Sequence, residues 1–216
     1  MTTMNKLDFK KQDKVLYSGK AGRFDVLTVP AMSYLMIDGK GNPGTSQAFV
    51  DAVSALYPLA YNIKFHSKIK LQQDFVVPPL SGLWWADDMS AFCRDDRDQW
   101  QWTMMIRQPD WITTDIVDEM KQQVLAKDTK KKDSELNPDA LKQIRFETLD
   151  EGLCVQVLHV GPYSEEGPIL KQMHEQFIPD NGYAMTGKHH EIYLGDPRKT
   201  APQKLKTILR QPIRKT

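Results

Sequence analysis

The residues best suited to chemistry lie in one short segment near the C-terminus, His189-His190-Glu191-Ile192-Tyr193-Leu194. The segment alternates as a β-strand does, so Glu191 shares one face with His189 and Tyr193. Ile192 and Leu194 point to the opposite face, which we expect to meet a helix. A carboxylate on an aromatic-lined face can pair with a cation or take a proton from a reacting group. We therefore predict that Glu191 is a catalytic residue; the alternative is a surface glutamate on an edge strand.

A tyrosine follows a turn at the start of a predicted helix in the same half of the chain. Tyr163 comes directly after His159-Val160-Gly161-Pro162, and the helix begins near Glu165. A phenol at this point can donate a hydrogen bond to negative charge that develops on a substrate. We predict that Tyr163 is the second catalytic residue; the alternative is that it only packs against the helix.

The five tryptophans are concentrated in one part of the chain: Trp84, Trp85, Trp100, Trp102 and Trp111. Indole rings either fill a core or form a wall that holds flat or cationic ligands. Trp100 and Trp102 are two residues apart in a predicted strand and share a face, whereas Trp84 and Trp85 point to opposite faces. The predicted substrate-binding residues are Trp85, Trp100, Trp102, Tyr193 and Tyr61.

The sequence lacks the motifs of other common catalytic and metal-binding sites. There is no HExxH or CxxC spacing for a metal and no GxSxG turn for a serine nucleophile. His190 would point away from His189 and Glu191, so these three consecutive residues do not form a metal site. The glycine-rich stretch 39–44 matches neither a phosphate-binding loop nor a dinucleotide-binding motif. We expect neither a metal nor a cofactor.

The elements that must position these residues occur twice. Alternating segments at 24–30 and 31–37 precede a helical pattern at 47–57, a strand-like segment at 60–66 and a strand at 100–107. In the second half, 144–148 and 152–158 resemble a hairpin, followed by the helix and by strands at 182–185 and 190–194. Gly39 matches Gly161 and Tyr61 matches Tyr183 at a separation of 122 residues, which indicates an internal duplication.

The predicted fold is therefore α+β, with two tandem βαββ units related by a pseudo-twofold axis and a ligand cleft between them. The whole chain, 1–216, forms one domain. The first half covers about 15–126 and the second about 141–216, joined by a linker at about 127–140. The lysine-rich run within this linker is expected to be a solvated connection.

Composition excludes several classes of protein. The chain has 216 residues, 29 Lys and Arg against 28 Asp and Glu, two cysteines and a mean hydropathy of −0.52. Balanced charge is not typical of nucleic-acid binding, and no apolar run is long enough for a membrane span or a signal peptide. We expect a reduced, cytoplasmic protein whose partner is a flat aromatic or cationic small molecule, without nucleic acid, membrane or protein partners.

Several motifs together resemble the GyrI-like small-molecule-binding proteins. They are Gly82-Leu83-Trp84-Trp85, Trp100-x-Trp102-Thr103-x-Met105-Ile106-x-Gln108-Pro109-Asp110, His159-Val160-Gly161-Pro162-Tyr163, His189-His190-Glu191-Ile192-Tyr193-Leu194-x-Asp196-Pro197 and Leu205-Lys206-Thr207-Ile208-Leu209-Arg210-x-Pro212. The resemblance implies two βαββ units and an aromatic pocket around Glu191. Fewer than 25 residues precede the first unit, so we expect none of the DNA-binding modules found in related regulators.

The tryptophan-rich pattern is also similar to standalone members that hydrolyse the cyclopropane ring of DNA-alkylating natural products. That resemblance implies an aromatic cage and cellular protection, with Glu191 acting on the attacking water and Tyr163 or Tyr193 as hydrogen-bond donor. The alternatives are non-catalytic binding and sequestration of drugs, or a protein-binding role that modulates DNA gyrase.

Overall fold

The computed structural model describes residues 6–88, 90–94, 96–129 and 136–216 and combines strands and helices in an α+β fold, as predicted. The strands are β1 (Lys6–Leu7), β2 (Asp25–Val29), β3 (Met32–Lys40), β4 (Asp74–Phe75), β5 (Ser81–Trp85), β6 (Gln101–Arg107), β7 (Arg145–Leu149), β8 (Gly152–Val160), β9 (Tyr183–Met185), β10 (His189–Tyr193) and β11 (Lys206–Lys215). The α-helices are α1 (Phe9–Gln12), α2 (Gln47–His66), α3 (Ser90–Cys93), α4 (Thr114–Asp128), α5 (Pro138–Gln143), α6 (Gly167–Gln172) and α7 (Ile178–Asp180). Single π-helical turns follow α2, at Ser67–Leu71, and α6, at Met173–Phe177.

The chain divides into two compact units that are not continuous in sequence. The first unit takes residues up to 12, 32–78 and 85–148, and the second takes 13–31, 79–84 and 149–216. Each unit therefore includes a segment from the other half of the sequence. The boundaries predicted for the two halves of the repeat remain a prediction.

The first unit is built around α2 and the antiparallel pair β3–β6. In this pair Leu35 lies opposite Ile106, and both are fully buried. The buried positions of α2 include Leu56, Leu59 and Ile63, which recur at helical spacing on one face. The Ser46 hydroxyl accepts a hydrogen bond from a backbone N–H in the first turn of α2. β7 lies beside β3, and β1 pairs in parallel with β4.

The segment 60–66, predicted as a strand, is the second half of α2. Ala60, Ile63 and Lys64 are buried along this segment, which is the three- to four-residue period of a helix and not the two-residue period of a strand. Pro58 lies inside the same helix and does not end it. Tyr61 is therefore not equivalent to Tyr183, and this part of the predicted repeat is wrong.

The second unit is an antiparallel sheet in the order β2, β8, β11, β10 and β5, with β9 beside the end of β11. One face of this sheet packs against α6, α7 and the π-helical turn between them. Its core contains the buried residues Val155, Val157, Met173, Ile178, Leu209 and Ile213. We call this the helix-covered face.

The predicted hairpin between 144–148 and 152–158 does not form, because β7 pairs with β3 whereas β8 pairs with β2 and β11. The connection contains Glu151, whose side chain is only 2% exposed. Its carboxylate lies 2.9 Å from His190 Nδ1 and accepts a hydrogen bond of 3.2 Å from Arg210. The two-residue connection that contains this buried carboxylate therefore joins strands with different partners and does not form a hairpin.

The buried ion pairs of Glu151 lie on the sheet face opposite the helices. Arg210 also donates to Gln156 and to the backbone carbonyl of Leu16. Burial alone would raise the pKa of Glu151, but His190 and Arg210 outweigh it and lower the pKa to about 2. The His190 side chain therefore lies on this face of β10, away from the helices.

The structure contains the internal repeat, with a different alignment from the one predicted. Gly41 and Gly161, 120 residues apart, both follow the first strand of a βαβ segment and both have positive φ, 103° and 145°. Gly41, and not Gly39, is therefore the equivalent of Gly161. The same separation makes Ser46 equivalent to Glu166.

Candidate functional site

Glu191 lies on the helix-covered face of the second unit. It is directly opposite Leu209 in the β10–β11 pair, and Leu209 belongs to the core beneath the helices. Paired residues of antiparallel strands point to the same face. The prediction that Ile192 faces the helix is therefore wrong. Ile192 lies on the opposite face of β10, the face on which His190 contacts Glu151.

A chain of hydrogen bonds links an indole, a phenol and a carboxylate on this face. Trp84 Nε1 donates to the Tyr193 hydroxyl at 3.0 Å, and that hydroxyl donates to Glu191 Oε2 at 2.8 Å. Burial raises the pKa of Tyr193 well above its ordinary value, and the Glu191 carboxylate raises it further. Tyr193 therefore holds its proton and fixes the orientation of Glu191, whose side chain is 15% exposed.

Tyr163 lies beside this chain of hydrogen bonds. Its ring centroid is 5.5 Å from that of Tyr193, with the two ring planes at 72°. It stands in a short 3-10 turn before α6 and is 39% exposed. The structure thus brings Tyr163, Tyr193 and Glu191 together, with Trp84 as the neighbouring indole.

A second carboxyl group, which the sequence analysis did not identify, lies at the same place. Glu166 immediately precedes α6, is 5% exposed, and its Oε1 has no hydrogen-bond partner among the described residues. Burial and the negative charge of Glu191 raise the pKa of Glu166 to about 9. Glu166 is therefore neutral at pH 7. We call Trp84, Tyr163, Glu166, Glu191 and Tyr193 the tyrosine–glutamate cluster.

Two histidines adjoin the cluster. Their rings, His174 and His189, are 5.9 Å apart, and His189 Nε2 lies 3.7 Å from Glu191 Oε1, beyond hydrogen-bond distance. Burial and His189 lower the pKa of His174 to about 4, so it is neutral at pH 7. Among the described residues, no three metal-binding side chains are grouped to hold an ion.

Several buried polar atoms in this region have no hydrogen-bond partner within the described part of the chain. They are Glu166 Oε1, His174 Nε2, His189 Nδ1 and His189 Nε2. Buried polar atoms are nearly always paired with protein or with water. A group of unpaired atoms on one face is therefore typical of a place where water or a polar ligand binds.

Trp102, predicted to bind substrate, is a core residue of the first unit. It is fully buried, its indole N–H donates to the Gly41 carbonyl at 3.3 Å, and its ring packs edge-on against Phe49. A Cβ on Gly39 would overlap the Trp102 ring, so glycine is needed at that position. The geometry therefore assigns Trp102 to packing.

The other predicted binding residues of the first unit lie in different surroundings. Trp100 precedes β6, stacks on Phe92 at 4.8 Å between ring centroids and lies 5.4 Å from the Arg97 guanidinium. Trp85 is half-buried at the end of β5. Tyr61 is 46% exposed on α2, so the strand position on which its prediction depended is wrong.

Residues 23–214 match the family model described as the GyrI-like small molecule binding domain. The chain belongs to the GyrI-like family. No protein of curated function matches the sequence. This membership confirms the resemblance drawn from the motifs.

Solved GyrI-like relatives include two crystal structures from Listeria innocua, each 40% identical over 97% of this chain and 100% of its own. One is of an uncharacterized conserved protein, with a TM-score of 0.86, and the other is of a protein described as a hydrolase, with a TM-score of 0.81. The EcmrR C-terminal domain, 13% identical with a TM-score of 0.56 over 90% of this chain and 98% of its own, shares the fold. Within the described residues, no helix is long and apolar enough to cross a bilayer.

The two halves of this GyrI-like repeat differ at one informative position. In the first unit Gly39 lies opposite Trp102, and in the second unit His159 lies opposite Thr207. Because Gly39 and His159 are 120 residues apart, Thr207 is the equivalent of Trp102. At this position the first unit therefore has a buried indole. The second unit has a small, buried hydroxyl there, beside the tyrosine–glutamate cluster.

Proposed function

We propose that this GyrI-like protein binds a flat aromatic small molecule and hydrolyses the cyclopropane ring of DNA-alkylating compounds, which protects the cell. The observation that carries the proposal is the Glu191 carboxylate, held by Tyr193 on an aromatic-lined face among unpaired polar atoms. The 40% identity with a Listeria protein described as a hydrolase supports hydrolysis as the type of reaction.

The chemistry requires a base and a hydrogen-bond donor. In a cyclopropane conjugated to a dienone, the oxygen of water bonds to the ring CH₂ and the adjacent ring C–C bond breaks. The electron pair of that bond moves to the dienone oxygen, and the product is a phenol bearing a new alcohol. Glu191 accepts the proton that water loses, and Tyr163 donates to the developing oxyanion, since the Tyr193 proton is directed to Glu191.

Ligand binding in this proposal depends on aromatic side chains. Tyr193 contacts Glu191, and the rings of Tyr163 and Trp84 adjoin Tyr193; each ring contact is worth about 0.5–1.5 kcal/mol beyond the area it buries. Trp85 and Trp100 stay predicted ligand contacts. The fully buried Trp102 and the exposed Tyr61 are not needed for this role.

The test is turnover of a spirocyclopropyl cyclohexadienone probe by the purified protein, followed by phenol absorbance and by mass spectrometry for the addition of one water. We expect Glu191→Gln to lower kcat by about 10²–10⁴-fold while the Kd changes little, since the amide keeps the shape of the side chain. The matched control is Glu175→Gln, which changes an exposed glutamate of the same unit. Turnover no faster than in buffer, or equal rates for wild type and Glu191→Gln, would contradict the proposal.

Binding without turnover is the second candidate, because the matching family model describes small-molecule binding and not catalysis. Titration calorimetry with the same probe separates the two functions. Tight binding with no ring-opened product would assign sequestration, and the Glu191→Gln variant would then lower affinity for cationic ligands only.

A further inference from the structure

Two carboxyl groups occupy the helix-covered face of the second unit, in unequal surroundings. Glu191 accepts a hydrogen bond from Tyr193, and 15% of its side chain is exposed. Glu166 is more deeply buried, and its Oε1 has no partner among the described residues. Besides burial, the negative charge of Glu191 raises the pKa of Glu166, and both carboxyl groups raise the pKa of Tyr193.

We propose that Glu166 is a further catalytic residue, the acid that gives its proton to the oxygen atom on which negative charge appears when the ring opens. The assignment rests on the proposed function and deepens it. It makes Glu166 and Glu191 an acid–base pair, with one proton shared between two carboxyl groups.

The surroundings decide which carboxyl group holds the proton. Two neighbouring carboxylates in a site of low dielectric constant cannot both be ionised without a large cost. The Glu191 carboxylate accepts a hydrogen bond from Tyr193, whereas burial and the charge of Glu191 favour the neutral form of Glu166. Of the other titratable groups that face the pair, His174 and Tyr193 are neutral at pH 7 and bring no compensating positive charge, and His189 Nε2 lies 3.7 Å from Glu191 Oε1.

The tyrosines are less suited to donate the proton. The Tyr193 proton is directed to Glu191, and its raised pKa makes it a poor acid. Tyr163 is 39% exposed and can donate a hydrogen bond without transferring its proton. The carboxyl group of Glu166 combines a transferable proton with an oxygen that no described residue occupies.

The two carboxyl groups together account for every proton that the reaction moves. Water loses a proton to Glu191 as its oxygen bonds to the cyclopropane carbon. The C–C electron pair reaches the dienone oxygen, which takes the proton of Glu166 and becomes a phenol. The pair then holds its proton on Glu191 instead of Glu166, and transfer of that proton back restores the starting state, so the net reaction is addition of one water.

The test compares Glu166→Gln with Glu165→Gln on the spirocyclopropyl cyclohexadienone probe. Glutamine resembles a neutral glutamic acid but cannot transfer a proton, so we expect kcat to fall by about 10²–10⁴-fold with Kd unchanged within about two-fold. Glu165 is the adjacent, exposed glutamate, and its variant should behave as wild type. Wild-type turnover should fall as the pH rises through about 9, where Glu166 loses its proton, and this decline should be absent from the residual activity of Glu166→Gln.

Three outcomes distinguish this inference from the proposed function. If the wild type hydrolyses the probe and Glu166→Gln does so equally fast, Glu166 is not the acid, while the proposed function stands. If wild type gives no ring-opened product, the proposed function is wrong and the acid fails with it. Carboxyl carbon NMR of the wild type with labelled glutamate is independent of turnover and of how the variant folds: a Glu166 carboxyl that is ionised at pH 7 overturns the inference.

Discussion

Glu151 and Glu166 are both buried, and their neighbours drive their pKa values in opposite directions. Glu151 is paired with Arg210 and His190, which lower its pKa to about 2. Burial and the nearby negative charge of Glu191 raise the pKa of Glu166 to about 9. Both lie close to a turn between elements and neither stands in a strand or helix. Local sequence therefore does not show whether a buried glutamate is an ion-paired carboxylate or a neutral acid. Its partners on distant strands determine which form it takes.

The raised pKa of Glu166 predicts how stability changes with pH. Its ordinary value is 4.5 and its folded value about 9, so between these limits the folded chain holds a proton that the unfolded chain has released. Stability that this group contributes is present at low pH and decreases as the pH rises from about 4.5 to about 9, at up to about 1.4 kcal/mol per pH unit. Glu166→Gln removes this dependence.

Urea unfolding at about pH 5, 7 and 9 measures this effect, because the pH series spans the ordinary and the folded pKa of Glu166. We expect the free energy of unfolding of Glu166→Gln to increase relative to wild type at each step. The exposed Glu165→Gln should follow wild type throughout. A constant difference between Glu166→Gln and wild type across the series would show that Glu166 is ionised in the folded chain.

The functional residues that sequence could predict are those that depend on strand alternation. Glu191 and Tyr193 are two residues apart in a strand, and the structure places both in the cluster. The prediction that Ile192 faces the helix was wrong, because alternation alone does not show that His190 pairs with its distant partners Glu151 and Arg210 on the other face. Glu166 was missed because a glutamate before a short helix is normally a solvent-exposed cap.

At the scale of elements, the errors came from short patterns that fit two structures. The segment 60–66 alternates in hydrophobicity, yet its buried residues follow the period of α2. The Asp150-Glu151 connection has the length of a hairpin turn, yet it joins strands with different partners. Packing of a helix face decides the first case and strand pairing between distant segments decides the second, whereas β6, β9 and β10 lie close to where alternation placed them.

The pair of β3 and β6 predicts a specific packing defect. Gly39→Ala places a methyl group against the Trp102 ring, which is fully buried and hydrogen-bonded to Gly41. We expect a loss of about 1–3 kcal/mol in the free energy of unfolding, because neither the strand nor the indole can move away. Denaturant unfolding measures it.

Two further variants separate overlap from the general cost of replacing a glycine. Gly167→Ala adds a methyl group where nothing lies within 4 Å, at the start of α6, and should be neutral or slightly stabilising. The double variant Gly39→Ala/Trp102→Leu should lose less stability than the sum of the two single losses, since the smaller side chain removes the overlap. Full additivity of the two substitutions would contradict the packing explanation.

For the whole molecule, duplication supplied two similar units that no longer have the same chemistry. The first unit has a serine cap at Ser46 and an indole at Trp102, both satisfied by neighbouring backbone groups. The second unit has Glu166 and Thr207 at the equivalent positions: Glu166 Oε1 has no partner among the described residues, and the Thr207 hydroxyl is near enough to hydrogen-bond the Glu166 carboxyl. Of these equivalent positions in the described part of the chain, those of the second unit are therefore the ones suited to a polar ligand.

This asymmetry predicts that one chain binds one molecule of the spirocyclopropyl cyclohexadienone probe, because only the second unit keeps the small Thr207 residue beside unpaired polar atoms. The double variant His159→Gly and Thr207→Trp copies the Gly39–Trp102 pair of the first unit onto β8 and β11. We expect the introduced indole to occupy the ligand position, so native mass spectrometry should count one probe per wild-type chain and none per double variant. Lys206→Trp is the matched control, since Lys206 is exposed on the same strand with its side chain toward the opposite face, and it should still bind one probe. Two probes on the wild-type chain, or one on a folded double variant, would place the ligand elsewhere than beside Thr207.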